Sequence, residues 1–123
     1  MANILLVEDH EDVREALSEV LEHNGHSVTQ AHDGLQAENF IKTQTYDVMI
    51  TDIMMPNKTG FDLINETKDN NPKMKIIAIS GGGNYLTSDL AKHLANLRAD
   101  KALTKPFMPS DITDAIKEVL SES

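Results

Sequence analysis

The chain of 123 residues contains no cysteine, which excludes disulfides, thiolate metal sites and cysteine nucleophiles. It also lacks any run approaching the roughly 20 apolar residues that a membrane helix needs. No basic-then-apolar signal segment stands at its amino terminus. A cytoplasmic chain without membrane insertion is therefore expected. Basic residues are scarce as well: 11 Lys and Arg stand against 20 Asp and Glu, for a net charge of −9. Nucleic-acid affinity rests largely on Lys and Arg contacts to phosphate, so direct DNA binding is not expected. Acidity of this degree aids solubility, and it suits a cation or a basic protein surface as partner. The length implies one domain over residues 1–123, able to bury roughly two-thirds of its unfolded surface.

What is present is a regular alternation of short apolar runs and helical patterns. Asn3–Val7 is an apolar run that stops on Glu8 and Asp9. Val13, Ala16, Leu17, Val20 and Leu21 follow at helical spacing, and Gly25 suits a left-handed cap beyond them. Ser27–Ala31 is a modest strand, and Asp33–Gly34 turns the chain into a helix over Leu35–Thr43 with Phe40 and Ile41. Val48–Thr51 reads as a strand buried on both faces, ending on Asp52 and closed by Pro56, which cannot extend a ladder. Gly60 opens a third helix, with Phe61, Leu63 and Ile64 inward, that stops at Asn70–Asn71–Pro72. Lys75–Ser80 is a fourth strand running into Gly81–Gly82–Gly83, and Leu86, Leu90, Leu94 and Leu97 mark one face of a fourth helix. Lys101–Thr104 is a brief fifth strand ending at Lys105–Pro106. A last helix starts at Pro109 and carries Ile112, Ala115, Ile116, Val119 and Leu120.

Strands alternating with helices through connections too long for hairpins imply parallel βαβ units. The expected fold is a three-layer, doubly wound α/β domain with five parallel strands and five helices. In such a sheet all the carboxyl ends of the strands share one rim. Glu8 and Asp9, Asp52, Ser80 and Lys105 each follow a different strand, so they converge there without help from sequence proximity. Three carboxylates and one ammonium leave a formal charge of about −2, and each close carboxylate pair repels by about 4 kcal/mol at an effective dielectric near 20. A divalent cation resolves that repulsion, and an all-oxygen donor set favours Mg²⁺. A metal, an attacking carboxylate, a hydroxyl and an ammonium are the parts for handling a phosphoryl group.

Over essentially its whole length the chain resembles the receiver domains of two-component response regulators. The motifs that carry the resemblance are Leu5–Leu6–Val7–Glu8–Asp9, Thr51–Asp52–Ile53–Met54–Met55–Pro56, Gly60, Ser80–Gly81 and Leu103–Thr104–Lys105–Pro106–Phe107. The resemblance implies the flavodoxin-like strand order 2-1-3-4-5. It implies that Asp52 accepts phosphate from the phosphohistidine of a sensor histidine kinase, or from a phosphotransfer protein. Mg²⁺ would be bound by Asp9, Asp52 and the backbone carbonyl of Met54, with Glu8 acting through water. Lys105 would pair with the phosphoryl group and Ser80 would swing in to hydrogen-bond it. Lys105–Pro106 would be a cis peptide. The output would be a contact with an unidentified partner protein through the fourth helix, fifth strand and fifth helix, from a monomer or weak homodimer. Such a domain catalyses its own phosphorylation and dephosphorylation but is a signalling protein rather than an enzyme.

The chain departs from the family pattern at two places. Ala102 stands where receivers often carry Tyr, Phe or His three residues before the lysine, and Tyr85 reads as a loop aromatic. Gly82, two residues after Ser80, leaves bare a position that often affects phosphoryl lifetime. The triple glycine fails both nucleotide-loop templates. His10 beside the acid pair reads as a solvated residue at the start of the first helix, since Mg²⁺ prefers oxygen. Two other functions remain open. A Mg²⁺-dependent phosphohydrolase is disfavoured by Met54, which stands where such enzymes carry a second acid. A phosphorylation-independent interaction module is disfavoured by the intact Glu8, Asp9, Asp52, Ser80 and Lys105.

Overall fold

The computed structural model describes residues 2–54, 59–81 and 97–121. Its strands are β1 (Asn3–Val7), β2 (Ser27–Ala31), β3 (Val48–Asp52), β4 (Lys75–Ser80) and β5 (Lys101–Thr104). Its helices are α1 (Glu11–His23), α2 (Gly34–Thr43), α3 (Gly60–Asn70) and α4 (Pro109–Ser121). Every strand pairing is parallel and the order is 2-1-3-4-5, as expected. Four helices rather than five lie among the described residues. The helix expected on Leu86, Leu90 and Leu94 falls outside them, as do Met55, Pro56, Gly82, Gly83 and Tyr85. Leu97, the last residue of that expected face, sits in irregular backbone and packs on the core.

The two-residue period of the strands explains the layers. Leu5 and Val7, Met49, Ile76 and Ala78 face one way and pack with Ala37, Leu63 and Ile64 from α2 and α3. Ile4 and Leu6, Val48 and Ile50, Ile77 and Ile79 face the other way, against Leu21 of α1 and Ile112, Ala115, Ile116 and Val119 of α4. Each such Ile or Leu, fully buried, contributes about 1.5–3 kcal/mol. The three central strands are therefore buried on both faces over nearly their whole length, whereas β5 is only half covered.

Local chemistry sets the element ends. Gly25 adopts φ 90° just past α1, a conformation costly for a side chain but open to glycine. The Asp33 carboxylate accepts the Gln36 N–H at 2.8 Å, and the Thr59 hydroxyl accepts the Asp62 N–H at 3.3 Å, capping α2 and α3. Asp111 accepts the Met108 N–H at 2.8 Å before α4.

Three apolar residues that the helical spacing groups with the core turn out to face solvent: Val13, Ala16 and Leu120. On α1 the inward positions include Ser18, which is buried and accepts a hydrogen bond from Gln30 of β2 at 3.2 Å. The helix is rotated so that its polar residues reach the sheet edge, which turns Val13 and Ala16 outward. No helix among the described residues is long and apolar enough to cross a membrane.

Candidate functional site

The rim at the carboxyl ends of the strands gathers the expected residues. Asp52 closes β3 and is 5% exposed, and Ser80 closes β4. Both line a cleft of about 350 Å³ together with His10, Ile53, Met54, Gly81 and Lys105. The Lys105 ammonium donates to Asp52 Oδ2 at 2.8 Å and stands 3.5 Å from Glu8 Oε1. The Met54 N–H donates to Asp52 Oδ1 at 3.0 Å. Both carboxylate oxygens of Asp52 are thus oriented by donors, one of them charged. The Lys105–Pro106 peptide is cis, as the resemblance implied.

The backbone that presents Asp52 is held closely. The Ile53 N–H donates to the Ile79 carbonyl at 2.9 Å, and the Gly60 N–H donates to the Ile53 carbonyl at 3.0 Å. A side chain at Gly60 would collide with the Asp52 carbonyl and lie 2.6 Å from Ile53 Cα. The first turn of α3 therefore rests directly on the strand end that carries the acid, and only glycine allows that approach.

Glu8 and Asp9 follow β1. Glu8 is 3% exposed, and neither of its carboxylate oxygens accepts a hydrogen bond; buried Asp9 Oδ1 is in the same condition. Burial pushes the Glu8 carboxyl above its ordinary value, the Asp52 charge adds to the effect, and Lys105 opposes it. Burial alone would lower the Lys105 ammonium, but its hydrogen bond to Asp52 and the two nearby carboxylates outweigh that and raise it. Buried charged oxygens without donors are costly. Their donor set is hard oxygen, so the residues present fit a divalent cation such as Mg²⁺.

One contributor escaped the reading of the sequence. Arg14 Nη1 donates to the Glu8 carbonyl at 2.9 Å and Nε donates to Gln30 Oε1 at 3.1 Å. It ties the end of β1 to β2 from the first turns of α1. Its six-residue distance from Glu8 was the only signal, and it is too weak to stand out in a helix rich in charge. Ala102 is exposed on β5, paired with Ala78.

The chain matches the response regulator receiver domain model over residues 4–117. It belongs to the response regulator receiver domain family. It is similar to the response regulator receiver protein CpdR of Brucella abortus, with 32% identity over 120 residues and 98% of each chain covered. Other curated relatives, transcriptional regulatory proteins among them, are matched over about half their length. Among solved structures it is similar to a CheY-like receiver domain protein from Methanospirillum hungatei, with TM-score 0.90, 27% identity, and 99% and 95% of the two chains covered. The response regulator TrrA of Thermotoga maritima, solved in complex with Mg²⁺–BeF, aligns with TM-score 0.83 and 28% identity over 97% of this chain and 99% of its own. Receiver domains are signalling proteins of two-component systems, generally Mg²⁺-dependent, that interact with histidine kinases. In this receiver domain the ends of β1, β3, β4 and β5 bring Glu8 and Asp9, Asp52, Ser80 and Lys105 to one rim.

Proposed function

We propose that residues 1–123 form one receiver domain that accepts a phosphoryl group on Asp52. The donor would be the phosphohistidine of a sensor histidine kinase or a phosphotransfer protein. The observation that carries the proposal is the pairing of Asp52 with Lys105 at 2.8 Å beside the donorless oxygens of Glu8 and Asp9. Asp9, Asp52 and the Met54 carbonyl would hold Mg²⁺, with Glu8 contributing through water. Bound there, Mg²⁺ supplies charge neutralisation on the phosphoryl oxygens. The solved complex of TrrA with Mg²⁺–BeF supports a cation in a receiver of this fold.

In the step itself an Asp52 carboxylate oxygen attacks phosphorus in line. The new O–P bond forms as the N–P bond of the phosphohistidine breaks, and the imidazole nitrogen leaves with the electron pair. Lys105 holds the attacking carboxylate beforehand and then pairs with the phosphoryl oxygens. Ser80, at the end of the neighbouring strand, donates its hydroxyl to the same group. Hydrolysis of the acyl phosphate by water returns the free carboxylate. The domain is thus a signalling phosphoacceptor with its own chemistry. Its output is a contact with a partner protein through β5, α4 and the helix expected between Leu86 and Leu97, made from the cytoplasm by a monomer or weak homodimer.

The test is intact mass after incubation with Mg²⁺ and acetyl phosphate, beside Asp52→Asn and a metal-free control. The expected result is one added phosphoryl group that requires Mg²⁺ and is absent from the variant. No adduct under conditions that trap short-lived phosphoryl groups would overturn the proposal in favour of a phosphorylation-independent interaction module.

A further inference from the structure

Glu8, Asp9 and His10 make the turn from β1 into α1, outside both elements. A turn aims its side chains only as well as its backbone is held. On one side the Glu8 N–H donates to the Ala31 carbonyl at the end of β2, at 3.0 Å. On the other side the chain is held by a single residue of α1. Arg14 Nη1 donates to the Glu8 carbonyl at 2.9 Å, and the Arg14 backbone N–H donates to the His10 carbonyl at 2.9 Å. Arg14 thus engages the carbonyls of both residues that flank Asp9. The backbone bond would come from any residue with an N–H, but the side-chain bond is the arginine's own.

The guanidinium is itself fixed. Arg14 Nε donates to Gln30 Oε1 on β2 at 3.1 Å, and Gln30 Nε2 donates to Ser18 Oγ at 3.2 Å. Ser18 is buried, and its hydroxyl donates onward to Glu22 Oε1 at 3.1 Å. Gln30 uses its oxygen on Arg14 and its nitrogen on Ser18, which gives the amide one orientation. Arginine offers several donor directions from one rigid plane. Here one direction goes to the Glu8 carbonyl and another to the edge strand, so the positive charge is spent on neutral acceptors.

We propose that Arg14 is a positioning residue for the cation site. Its hydrogen bond to the Glu8 carbonyl sets the backbone from which Glu8 and Asp9 present their carboxylates, and Gln30 fixes the guanidinium that makes it. The inference rests on the reading of this rim as a Mg²⁺ site and goes beyond it in giving α1 and β2 a part in that site's affinity. Charge and position pull in opposite directions. A guanidinium beside the site repels a divalent cation, so its removal would by charge alone tighten Mg²⁺ binding. Loss of the clamp loosens the two acids and weakens binding. The sign of the change separates the two.

The experiment is a Mg²⁺ titration of the isotope-labelled full chain followed by NMR amide shifts, for the wild type, Arg14→Met, Gln30→Ala and Lys68→Ala. Folding of each variant is checked by circular dichroism, and binding is measured below its unfolding transition. Arg14→Met is expected to lower Mg²⁺ affinity about tenfold. The Mg²⁺ concentration that gives half-maximal phosphoryl adduct should rise in parallel. Gln30→Ala keeps the charge and is expected to lower affinity by a smaller factor. Lys68→Ala removes an ion pair at the opposite rim and is expected to leave Mg²⁺ affinity at the wild-type value. If Arg14→Met binds Mg²⁺ as tightly as wild type, or more tightly, the role of Arg14 is overturned while the Mg²⁺ site stands. If Lys68→Ala weakens Mg²⁺ as much as Arg14→Met does, the loss is one of general stability and the role is likewise overturned. Should Arg14→Met fail to fold, Gln30→Ala decides: weaker binding supports the clamp, and wild-type affinity overturns it. If the wild type binds no Mg²⁺, the cation site itself fails, and the role of Arg14 with it.

Discussion

The two rims of this sheet handle charge in opposite ways. At the amino ends of the strands, polar side chains are spent on the backbone. Asp47 accepts the Asn3 N–H at 2.8 Å, His26 Nδ1 accepts the Ala2 N–H at 3.1 Å, and Asp100 accepts the Ile76 N–H at 2.8 Å. Asp100 is paired in addition with Lys68 at 2.8 Å, and Lys68 donates to the Met74 carbonyl at 2.8 Å. At the carboxyl ends, Glu8 and Asp9 hold buried oxygens that accept no hydrogen bond, and Lys105 is shared between Asp52 and Glu8. The amino rim also has the larger hollow, about 530 Å³ beside Tyr46, Asp47 and Pro72. Size would place a site there, but the unsatisfied charge is at the other rim. One end of the sheet uses its charges to close the fold, while the other leaves buried carboxylate oxygens without hydrogen bonds.

The comparison yields predictions of decreasing size. The greatest loss should come from the carboxyl rim: Asp52→Asn should abolish the phosphoryl adduct in intact mass. Lys105→Ala should slow its formation by about 10²–10³-fold, as loss of a charge-stabilising donor does. Circular dichroism should show both variants folded, which separates function from stability.

Next is the contact that holds the acid in place. Gly60→Ala forces a methyl group onto the backbone of Asp52 and Ile53, and should destabilise the domain by about 2–3 kcal/mol in urea unfolding. At the amino rim, Lys68→Ala leaves the Asp100 carboxylate without its cation, with 13% and 19% side-chain exposure for the pair. A loss of about 2 kcal/mol is expected, with the phosphoryl adduct still formed below the unfolding transition. A Lys68→Ala variant that folds as well as wild type would erase the contrast between the rims.

Glu8→Gln should run the other way. Removing a buried charge whose oxygens lack donors should raise the stability of the metal-free protein by about 1 kcal/mol and weaken Mg²⁺ binding, both measurable by unfolding with and without the ion.

The smallest effect concerns His26, whose imidazole burial holds below its ordinary value. The unfolded chain then binds the proton more readily than the folded one. The contribution is therefore present above about pH 6.5 and fades as the pH falls through the lower folded value. Thermal unfolding from pH 7.5 down to 5 should show a steeper loss of stability for wild type than for His26→Gln.

Much of the fold was legible along the chain. The bounds of β1, β2, β4 and β5, the start of α3 at Gly60 and the start of α4 at Pro109 coincide with the expected ones. Apolar period, capping residues and turn residues are local quantities, and they reside in the sequence itself. The list of rim residues was legible too, because a parallel sheet sends every strand's carboxyl end to one side.

The partners of those residues were not legible. Val13, Ala16 and Leu120 have the spacing of a core face yet lie outside it; for Val13 and Ala16 the reason is that the rotation of α1 on the sheet is set by what Arg14 and Ser18 reach on β2. Strand alternation, helix ends and the set of residues brought to the rim followed from sequence, since each depends on neighbours a few positions away. Whether a given acid is satisfied or left open was decided by tertiary structure alone. Asp100 meets Lys68 across 32 positions and Asp52 meets Lys105 across 53, while neither carboxylate oxygen of Glu8 accepts a hydrogen bond. A hydrogen bond depends on ångström-scale placement of atoms from distant elements, and only the packed sheet provides that.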